Sequence, residues 1–140
     1  MATTFCKIVW LIDDDEVAIY IHEKIIHAQQ FTEKVITYIT IDESLASLQL
    51  ATQSLNISFP DIIFLDMEMP GLDGWDFIAA FQNLPENVKE KCQLYMLSSS
   101  VDESDVQRAR QFRDVCSFIS KPLTTGVLQE IKASAASTRQ

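Results

Sequence analysis

The stretch IIFLDMEMPGLDGW, from Ile62 to Trp75, decides the fold that the rest of the chain must fit. It begins with a run of large apolar residues, which is typical of a strand buried on both faces of a parallel sheet. The run ends at Asp66, and a turn containing Pro70 and Gly71 follows. A carboxylate at the tip of a buried strand needs a partner or a chemical role, because an unpaired buried charge is costly. The stretch therefore predicts a strand, a polar site at its end, and a turn into a helix.

The composition is that of one globular domain with an acidic surface. The chain has 140 residues, of which 47% are hydrophobic, enough for a domain with a real core. We expect a single domain over residues 1–140, with its core at about 4–133 and no output domain. A net charge of −9 argues against binding to nucleic acid phosphates. The first residues contain neither a secretory signal nor a membrane span, so we expect a cytoplasmic protein without membrane insertion.

Strand-like and helix-like segments alternate along the chain. Runs rich in Val, Ile, Phe, Tyr and Leu predict strands at Cys6–Ile12, Lys34–Thr40, Asp61–Asp66, Cys92–Ser98 and Val115–Ser120. Between them, apolar faces at helical spacing comprise Val17, Ile21, Ile25 and Ala28; Leu45, Leu48, Thr52 and Leu55; Phe77, Ile78, Phe81 and Leu84; and Val127, Leu128, Ile131 and Ala135. The segment Asp102–Phe112 has the sparsest apolar face, so we expect its helix to be the least firmly packed. Strand and helix in alternation predict an α/β fold, a doubly wound parallel sheet of (βα)5 type with helices on both faces.

Smaller signals mark helix starts and connections. Thr40–Glu43 and Ser100–Glu103 have the spacing of capping boxes, and Asp73 could cap the third predicted helix. The polar segment Leu84–Lys91 predicts a surface connection between the third helix and the fourth strand. These signals place turns and helix ends between the strands.

The cysteines and histidines carry no signal of a metal or redox site. Cys6, Cys92 and Cys116 have no CxxC spacing, and we interpret them as reduced, buried, small hydrophobic residues. His22 and His27 lack matching partners in their predicted helix, and we interpret both as surface or boundary residues. The chemistry must therefore come from other residues.

Polar side chains stand at the carboxyl ends of the predicted strands, where doubly wound sheets bind ligands. They are Asp13, Asp14, Asp66, Ser98, Ser99 and Lys121. Neighbouring carboxylates cannot all ionise comfortably unless a cation lies among them, and oxygen-only ligands suit Mg²⁺. Lys121 and Ser98 would stabilise charge on a group carried by Asp66. The set predicts phosphoryl transfer to Asp66 as the nucleophile, with Mg²⁺ bridging the nucleophile and the phosphoryl oxygens. In the alternative without catalysis, the aspartates could form a solvated turn at a helix start, and Lys121 could be an ordinary surface cation.

The sequence resembles the receiver domains of two-component response regulators. The resemblance lies in LIDDDE after the first strand, IIFLDMEMPGLDGWDF around Asp66, YMLSSS at the end of the fourth strand and FISKPL at the end of the fifth. These ordered motifs, with the count of βα units, cover roughly Thr4 to Ala133. The resemblance implies a flavodoxin-like receiver fold with strand order 2-1-3-4-5.

The resemblance also implies a role for each matching residue of the site. Asp66 becomes the phosphoacceptor, and Mg²⁺ is held by Asp13, Asp14, Asp66 and the backbone carbonyl of Glu68, with Asp14 the more direct ligand of the acidic pair. Lys121 matches the lysine of the family, and its bond to Pro122 is expected to be cis. Catalysis would be limited to the phosphorylation and dephosphorylation of the domain itself.

Switch residues and partners follow from the same resemblance. Ser98, where Thr is usual, becomes the switch hydroxyl, and Phe118, where Tyr is usual, becomes the aromatic switch residue. In this family the side chains at the positions of Glu68 and Ser100 help set the dephosphorylation rate. The phosphoryl group would come from a sensor histidine kinase or a histidine phosphotransfer protein, and the switched surface would bind an unknown downstream protein. Whether activation produces a homodimer stays open.

Other functions fit the sequence less well. A degenerate receiver, acting as a phosphorylation-independent protein-interaction module, would share the fold without cycling phosphate. A dehalogenase-type phosphatase needs a second Asp where this chain has Glu68, and a flavodoxin needs a phosphate-binding loop where this chain has Asp13, Asp14 and Asp15. Acyl phosphate formation separates the working receiver from the interaction module.

Overall fold

The structure, a computed structural model, describes residues 4–53, 59–69, 71–99 and 103–138 of the chain. The strands are β1 (Cys6–Ile12), β2 (Thr32–Tyr38), β3 (Ile62–Asp66), β4 (Gln93–Ser98) and β5 (Val115–Ser120). The helices are α1 (Glu16–Ala28), α2 (Ile41–Gln53), α3 (Gly74–Gln82), α4 (Glu86–Lys89), α5 (Glu103–Arg110) and α6 (Thr125–Thr138). The strands form one parallel five-stranded sheet in the order β2-β1-β3-β4-β5, which confirms the predicted fold.

Alternate residues of the strands point to opposite faces of the sheet and build a hydrophobic core on each. On one face, Trp10 and Ile63 pack with residues of α2, α3 and α5. On the other, Leu11 and Phe64 pack with residues of α1 and α6. All residues of β3 are buried, which explains its continuous apolar run. Among the described helices, none combines the length and the apolarity needed to cross a membrane.

Helix α1 turns a different side to the sheet from the one that its apolar spacing predicts. Val17 and Ile21 of the predicted core face are 67% and 43% exposed, whereas His22 and Ile26 are buried. Isoleucines lie on more than one side of this helix, so helical spacing alone cannot select the buried side. Burial of His22 is possible because its Nε2 accepts a hydrogen bond of 3.2 Å from the backbone N–H of Leu123. The prediction of a core face through Val17 and Ile21 is therefore wrong, although Ile25 of that face does pack against the core. The prediction that His22 is a surface or boundary residue is also wrong.

The connection Leu84–Lys91 is more ordered than its polar sequence indicates. It contains α4, and Lys89 at the end of this helical turn is buried. The Lys89 ammonium donates to the carbonyl of Gln82 at 3.0 Å and pairs with Glu86 at 3.1 Å and Asp114 at 3.2 Å. These partners offset the cost of burying a charge. The prediction of a plain surface connection misses a helical turn that ends in a buried, ion-paired lysine.

The three cysteines are free, as expected, but their burial differs. Cys92 is buried, Cys6 is half-buried and Cys116 is exposed. Cys116 lies on β5, an edge strand with a neighbour on one side, so the prediction that all three are buried is wrong. Burial raises the pKa of the Cys92 thiol well above its ordinary value, which disfavours the reactive thiolate.

Other local predictions agree with the structure where it describes the residues. Thr40 Oγ1 accepts a hydrogen bond of 3.1 Å from the backbone N–H of Glu43. Helix α5 turns Ala109 into the core and leaves most of its surface to solvent, which confirms the weak packing expected of this segment. Leu55, the predicted capping residue Ser100 and Asp102 lie outside the described residues.

Asp73 is the predicted cap of α3, and the structure confirms it. Its carboxylate accepts hydrogen bonds from the backbone N–H groups of Trp75 at 3.0 Å and Asp76 at 3.2 Å, while the Asp76 carboxylate accepts one from the N–H of Asp73 at 2.8 Å. We expect Asp73→Ala to lower the free energy of unfolding by about 1 kcal/mol, and Asp76→Ala by less, because it removes a single bond. Urea denaturation measures both losses. A loss from Asp76→Ala as large as that from Asp73→Ala would contradict this order.

Candidate functional site

The sheet register brings the polar strand ends together. Ile12 of β1 lies opposite Leu65 of β3, so Asp13 and Asp66 leave the sheet side by side. This is the point where the strand order reverses, because β2 lies on the far side of β1. On the next strands, the backbone N–H of Lys121 donates to the carbonyl of Ser98 at 2.9 Å. Parallel strand order alone therefore gathers residues from four strand ends at one edge of the sheet.

Three aspartates form an acidic cluster at this edge. Asp13, Asp14 and Asp66 each offer a carboxylate oxygen, and these oxygens lie within 4.8 Å of one another. Asp13 and Asp66 are 3% and 2% exposed, whereas Asp14 is exposed. Backbone donors orient the two buried carboxylates: the N–H of Asp15 donates to Asp13 Oδ1 at 2.9 Å, and that of Glu68 to Asp66 Oδ1 at 3.0 Å. Three carboxylates this close together are the kind of oxygen ligands that a hard cation takes.

Lys121 is the cation that the structure places beside the buried carboxylates. Its Nζ lies 2.9 Å from Asp13 Oδ2 and 3.3 Å from Asp66 Oδ2. Burial alone would lower the pKa of the Lys121 ammonium, but the hydrogen bond to Asp13 and the charge of Asp66 raise it above its ordinary value. The peptide bond between Lys121 and Pro122 is cis, as the resemblance implies. Lys121 therefore stays charged and balances part of the negative charge of the cluster.

One lysine does not compensate fully for two buried carboxylates. Burial raises the pKa of the Asp66 carboxyl to about 6; the N–H of Glu68 acts against this rise, Asp13 adds to it, and Lys121 opposes it. Asp66, with its raised pKa, lies beside two further aspartates. The positive charge near these three carboxylates is less than their combined negative charge. The residues present therefore fit a divalent cation with oxygen ligands, such as Mg²⁺.

The raised pKa of Asp66 predicts how stability depends on pH without divalent cations. An unfolded Asp titrates near 4, so the folded protein binds this proton more tightly, and stability falls as pH rises from about 4 to about 6. Asp66→Asn removes the charge, and we expect it to raise the free energy of unfolding at pH 7 by about 2 kcal/mol. Urea denaturation in EDTA measures this gain, which should vanish near pH 4. Asp14→Asn, at an exposed carboxylate, is the matched control and should change stability less; a loss of stability from Asp66→Asn at pH 7 would contradict the charge argument.

Two serines and a glutamate border the cluster on its β4 side. Ser98 is 2% exposed, and its Oγ donates to Glu68 Oε1 at 2.6 Å. Ser99 Oγ donates to the other oxygen of the same carboxylate, Oε2, at 2.8 Å. Ser98 and the carbonyl of Glu68 are among the predicted site residues, but the contact of the Glu68 carboxylate with the serines is not predicted from the sequence. Their contact spans thirty residues of sequence, and no periodic pattern reports such a distance.

Phe118 lies away from the acidic cluster, on β5. It is half-buried and packs against the core on the α5 side of the sheet. Beside it is a cavity of about 270 Å³, lined in part by Val106, Ala109 and Arg110 of α5. The structure therefore places Phe118 between the sheet and the loosely packed helix, with free volume next to its ring.

An open cavity of about 420 Å³ gives access to the acidic cluster. Asp14, Asp66, Glu68 and Lys121 line its polar side. Its apolar side comes from α1, and His22, predicted as a surface or boundary residue, forms part of the wall. The buried Asp66 carboxylate is therefore reached from solvent through this cavity.

Known proteins share this sequence pattern and this arrangement of strands. The sequence model of the response regulator receiver domain matches residues 9–132. A two-component response regulator from Cytophaga hutchinsonii, known from its crystal structure, has 28% sequence identity to this chain. The two structures have a TM-score of 0.85, and the match covers 96% of this chain and 98% of that chain. A response regulator receiver protein from Dyadobacter fermentans is 27% identical, with a TM-score of 0.76 over 89% of this chain and 94% of that one. A CheX-CheY-BeF3-Mg²⁺ complex from Borrelia burgdorferi, at 21% identity, has a TM-score of 0.73 over 92% and 89% and shares the fold. Because the family match spans most of the sequence, the chain belongs to the family of response regulator receiver domains.

Proposed function

We propose that this chain is a phosphorelay receiver that accepts a phosphoryl group on Asp66 and changes a protein-binding surface in response. Response regulator receiver domains are signalling domains of two-component systems. The observation that carries the proposal is the position of Asp66, a buried carboxylate that lines an open cavity and lies beside Lys121 and two further aspartates. This arrangement suits a nucleophile for an anionic phosphoryl group.

The transfer needs a nucleophilic oxygen and positive charge around the phosphoryl group. A carboxylate oxygen of Asp66 forms a bond to phosphorus, and the bond from phosphorus to the donor breaks, with its electron pair leaving on the donor. The Lys121 ammonium is 3.3 Å from the nucleophilic carboxylate and can contact a phosphoryl oxygen from there. Ser98 supplies a hydroxyl that can donate to another phosphoryl oxygen. Water later hydrolyses the acyl phosphate and restores Asp66, so the domain promotes its own phosphorylation and dephosphorylation.

A divalent cation completes this site. Receiver domains bind Mg²⁺ or Mn²⁺ at an acidic aspartate cluster. In this chain we assign the ligands to Asp13, Asp14, Asp66 and the backbone carbonyl of Glu68. When bound there, Mg²⁺ supplies the positive charge that the cluster lacks and neutralises phosphoryl oxygens. The chain itself orients the ligands through the backbone donors of Asp15 and Glu68.

The signal leaves the site through the β4–β5 side of the domain. Engagement of Ser98 by a phosphoryl oxygen would shift Ser99 just after the end of β4 and thereby bias the position of α5. Helix α5 has the sparse packing expected of an element that moves, and Phe118 borders the free volume beside it. A change in the Phe118 position would alter the surface of α5, β5 and α6, which we propose as the surface read by a downstream protein.

The phosphoryl donor is expected to be a sensor histidine kinase or a histidine phosphotransfer protein. Receiver domains interact with such proteins, and the Borrelia structure joins its receiver to another protein, CheX. Exposed Val17 and Ile21 of α1 border the cavity above Asp66 and offer an apolar surface for a docking donor.

Phosphorylation by a small donor tests the proposal directly. We expect intact-mass analysis after incubation with Mg²⁺ and acetyl phosphate to show one labile phosphoryl adduct, and EDTA to prevent it. Acetyl phosphate loses its phosphoryl group to Asp66 and leaves as acetate, so no kinase is required. Absence of an adduct with several small donors would contradict the proposal and would favour an interaction module that does not cycle phosphate.

A further inference from the structure

The Glu68 carboxylate binds both serines that follow the fourth strand. Ser98 Oγ lies 2.6 Å from Oε1, and Ser99 Oγ lies 2.8 Å from Oε2, so each oxygen of the carboxylate accepts one hydroxyl. Hydrogen bonds of this length from a hydroxyl to a carboxylate are charge-assisted and stronger than those between neutral groups. The contact holds the loop after β3 to the end of β4, next to Asp66.

The Ser98 hydroxyl has a single proton to donate. In the structure this proton is directed to Glu68, yet the proposed function requires it to be directed to a phosphoryl oxygen on Asp66. Ser98 is 2% exposed, so water has little access to replace a lost partner. The two acceptors therefore compete for one donor.

We propose that Glu68 is a positioning residue that holds Ser98 and Ser99 in the unmodified protein and thereby opposes the phosphorylated state. This inference rests on the proposed function and concerns the same site. Arrival of a phosphoryl group transfers the Ser98 hydroxyl from one anion to another, while Ser99 can stay on Glu68. The hydrogen bond from Ser98 to a phosphoryl oxygen forms only when the Glu68–Ser98 hydrogen bond breaks, so its net stabilisation is reduced by the free energy of the bond that is lost. The Glu68 carboxylate therefore sets the fraction of phosphorylated molecules that adopt the switched conformation.

Replacing Glu68 should strengthen the phosphorylated state. Beryllium fluoride with Mg²⁺ is the probe, since it places a phosphoryl-like anion on an aspartate without a chemical step, and binding is followed by the amide NMR signals of Ser98 and Ser99. We expect Glu68→Ala to bind about tenfold more tightly than the wild type, because a charge-assisted competitor is lost. Glu68→Gln retains a neutral oxygen that accepts one hydroxyl, and its affinity should fall between the two. Glu33→Ala, at the amino end of β2 and exposed, is the matched control and should leave affinity unchanged.

Simple repulsion between Glu68 and the anion is the competing explanation, and Ser98→Ala separates the two. If Glu68 acts through Ser98, Glu68→Ala should lose its tenfold gain when it is combined with Ser98→Ala. A gain that persists in the Ser98→Ala background, or equal gains in Glu68→Gln and Glu68→Ala that shrink with added salt, would overturn the inference in favour of repulsion. Wild-type binding with no gain in either Glu68 variant would also overturn it. Failure of the wild type to bind beryllium fluoride would instead overturn the proposed function.

Discussion

Replacing Asp66 with Asn should abolish formation of the acyl phosphate. The amide has nearly the same size as the carboxylate and can still accept the backbone hydrogen bond that Glu68 donates at 3.0 Å. It lacks the anionic oxygen that attacks phosphorus, so no covalent adduct can form at this position. Intact-mass analysis with Mg²⁺ and acetyl phosphate is expected to show the adduct in the wild type and none in Asp66→Asn.

The neighbouring acids provide the controls for this experiment. Asp13→Asn removes a buried carboxylate that is not the nucleophile, and we expect a slower reaction that excess Mg²⁺ partly restores. Glu33→Ala removes an exposed acid at the far end of the sheet and should leave the rate unchanged. A full adduct in Asp66→Asn, with the label on another residue, would show that the nucleophile is assigned wrongly.

The second large effect concerns Lys121. Lys121→Ala removes the ammonium that lies 2.9 Å from Asp13 and 3.3 Å from Asp66, and with it the charge that can contact a phosphoryl oxygen. Loss of one donor to developing charge typically slows a reaction by about 100-fold, and we expect a loss of that size in the rate of adduct formation. Time courses of intact mass with saturating acetyl phosphate measure this rate.

Additional measurements and variants separate the effect of Lys121→Ala on the rate of adduct formation from its effect on folding. Lys121→Ala leaves two buried carboxylates without their cation, so urea denaturation and circular dichroism must accompany the rate measurement. Lys121→Arg keeps the charge on a larger, planar group and should recover part of the rate. Lys34→Ala, at an exposed lysine of β2, controls for the loss of one positive charge. An unchanged rate in a folded Lys121→Ala protein would remove Lys121 from the site.

Much of the fold follows from local patterns in the chain. The run Ile62–Leu65 is apolar at every position because β3 is covered on both faces, and the same reason makes its strand assignment secure. Alternation of such runs with helical segments leaves few arrangements besides a parallel, doubly wound sheet. The order of Asp13, Asp66 and Lys121 at strand ends then places them together, because parallel strands finish at the same edge.

Other features depend on contacts between segments that are distant in sequence. The buried side of α1 is set by His22 and its bond to Leu123, since the helix offers apolar residues on more than one side. The turn α4 forms over Lys89, whose partner Asp114 comes from the segment before β5. Neither partner can be identified from periodicity.

Some features of the acidic site could likewise be predicted from the sequence, and others depend on tertiary contacts. Its residue types and their places at strand ends were predictable from the chain, because strand direction fixes which side chains share an edge. The contact of Glu68 with Ser98 and Ser99 was not, because rotamers and hydrogen-bond partners are selected after the strands have packed. Backbone pattern thus determines which groups meet at the site, and side-chain packing determines which of them hold one another.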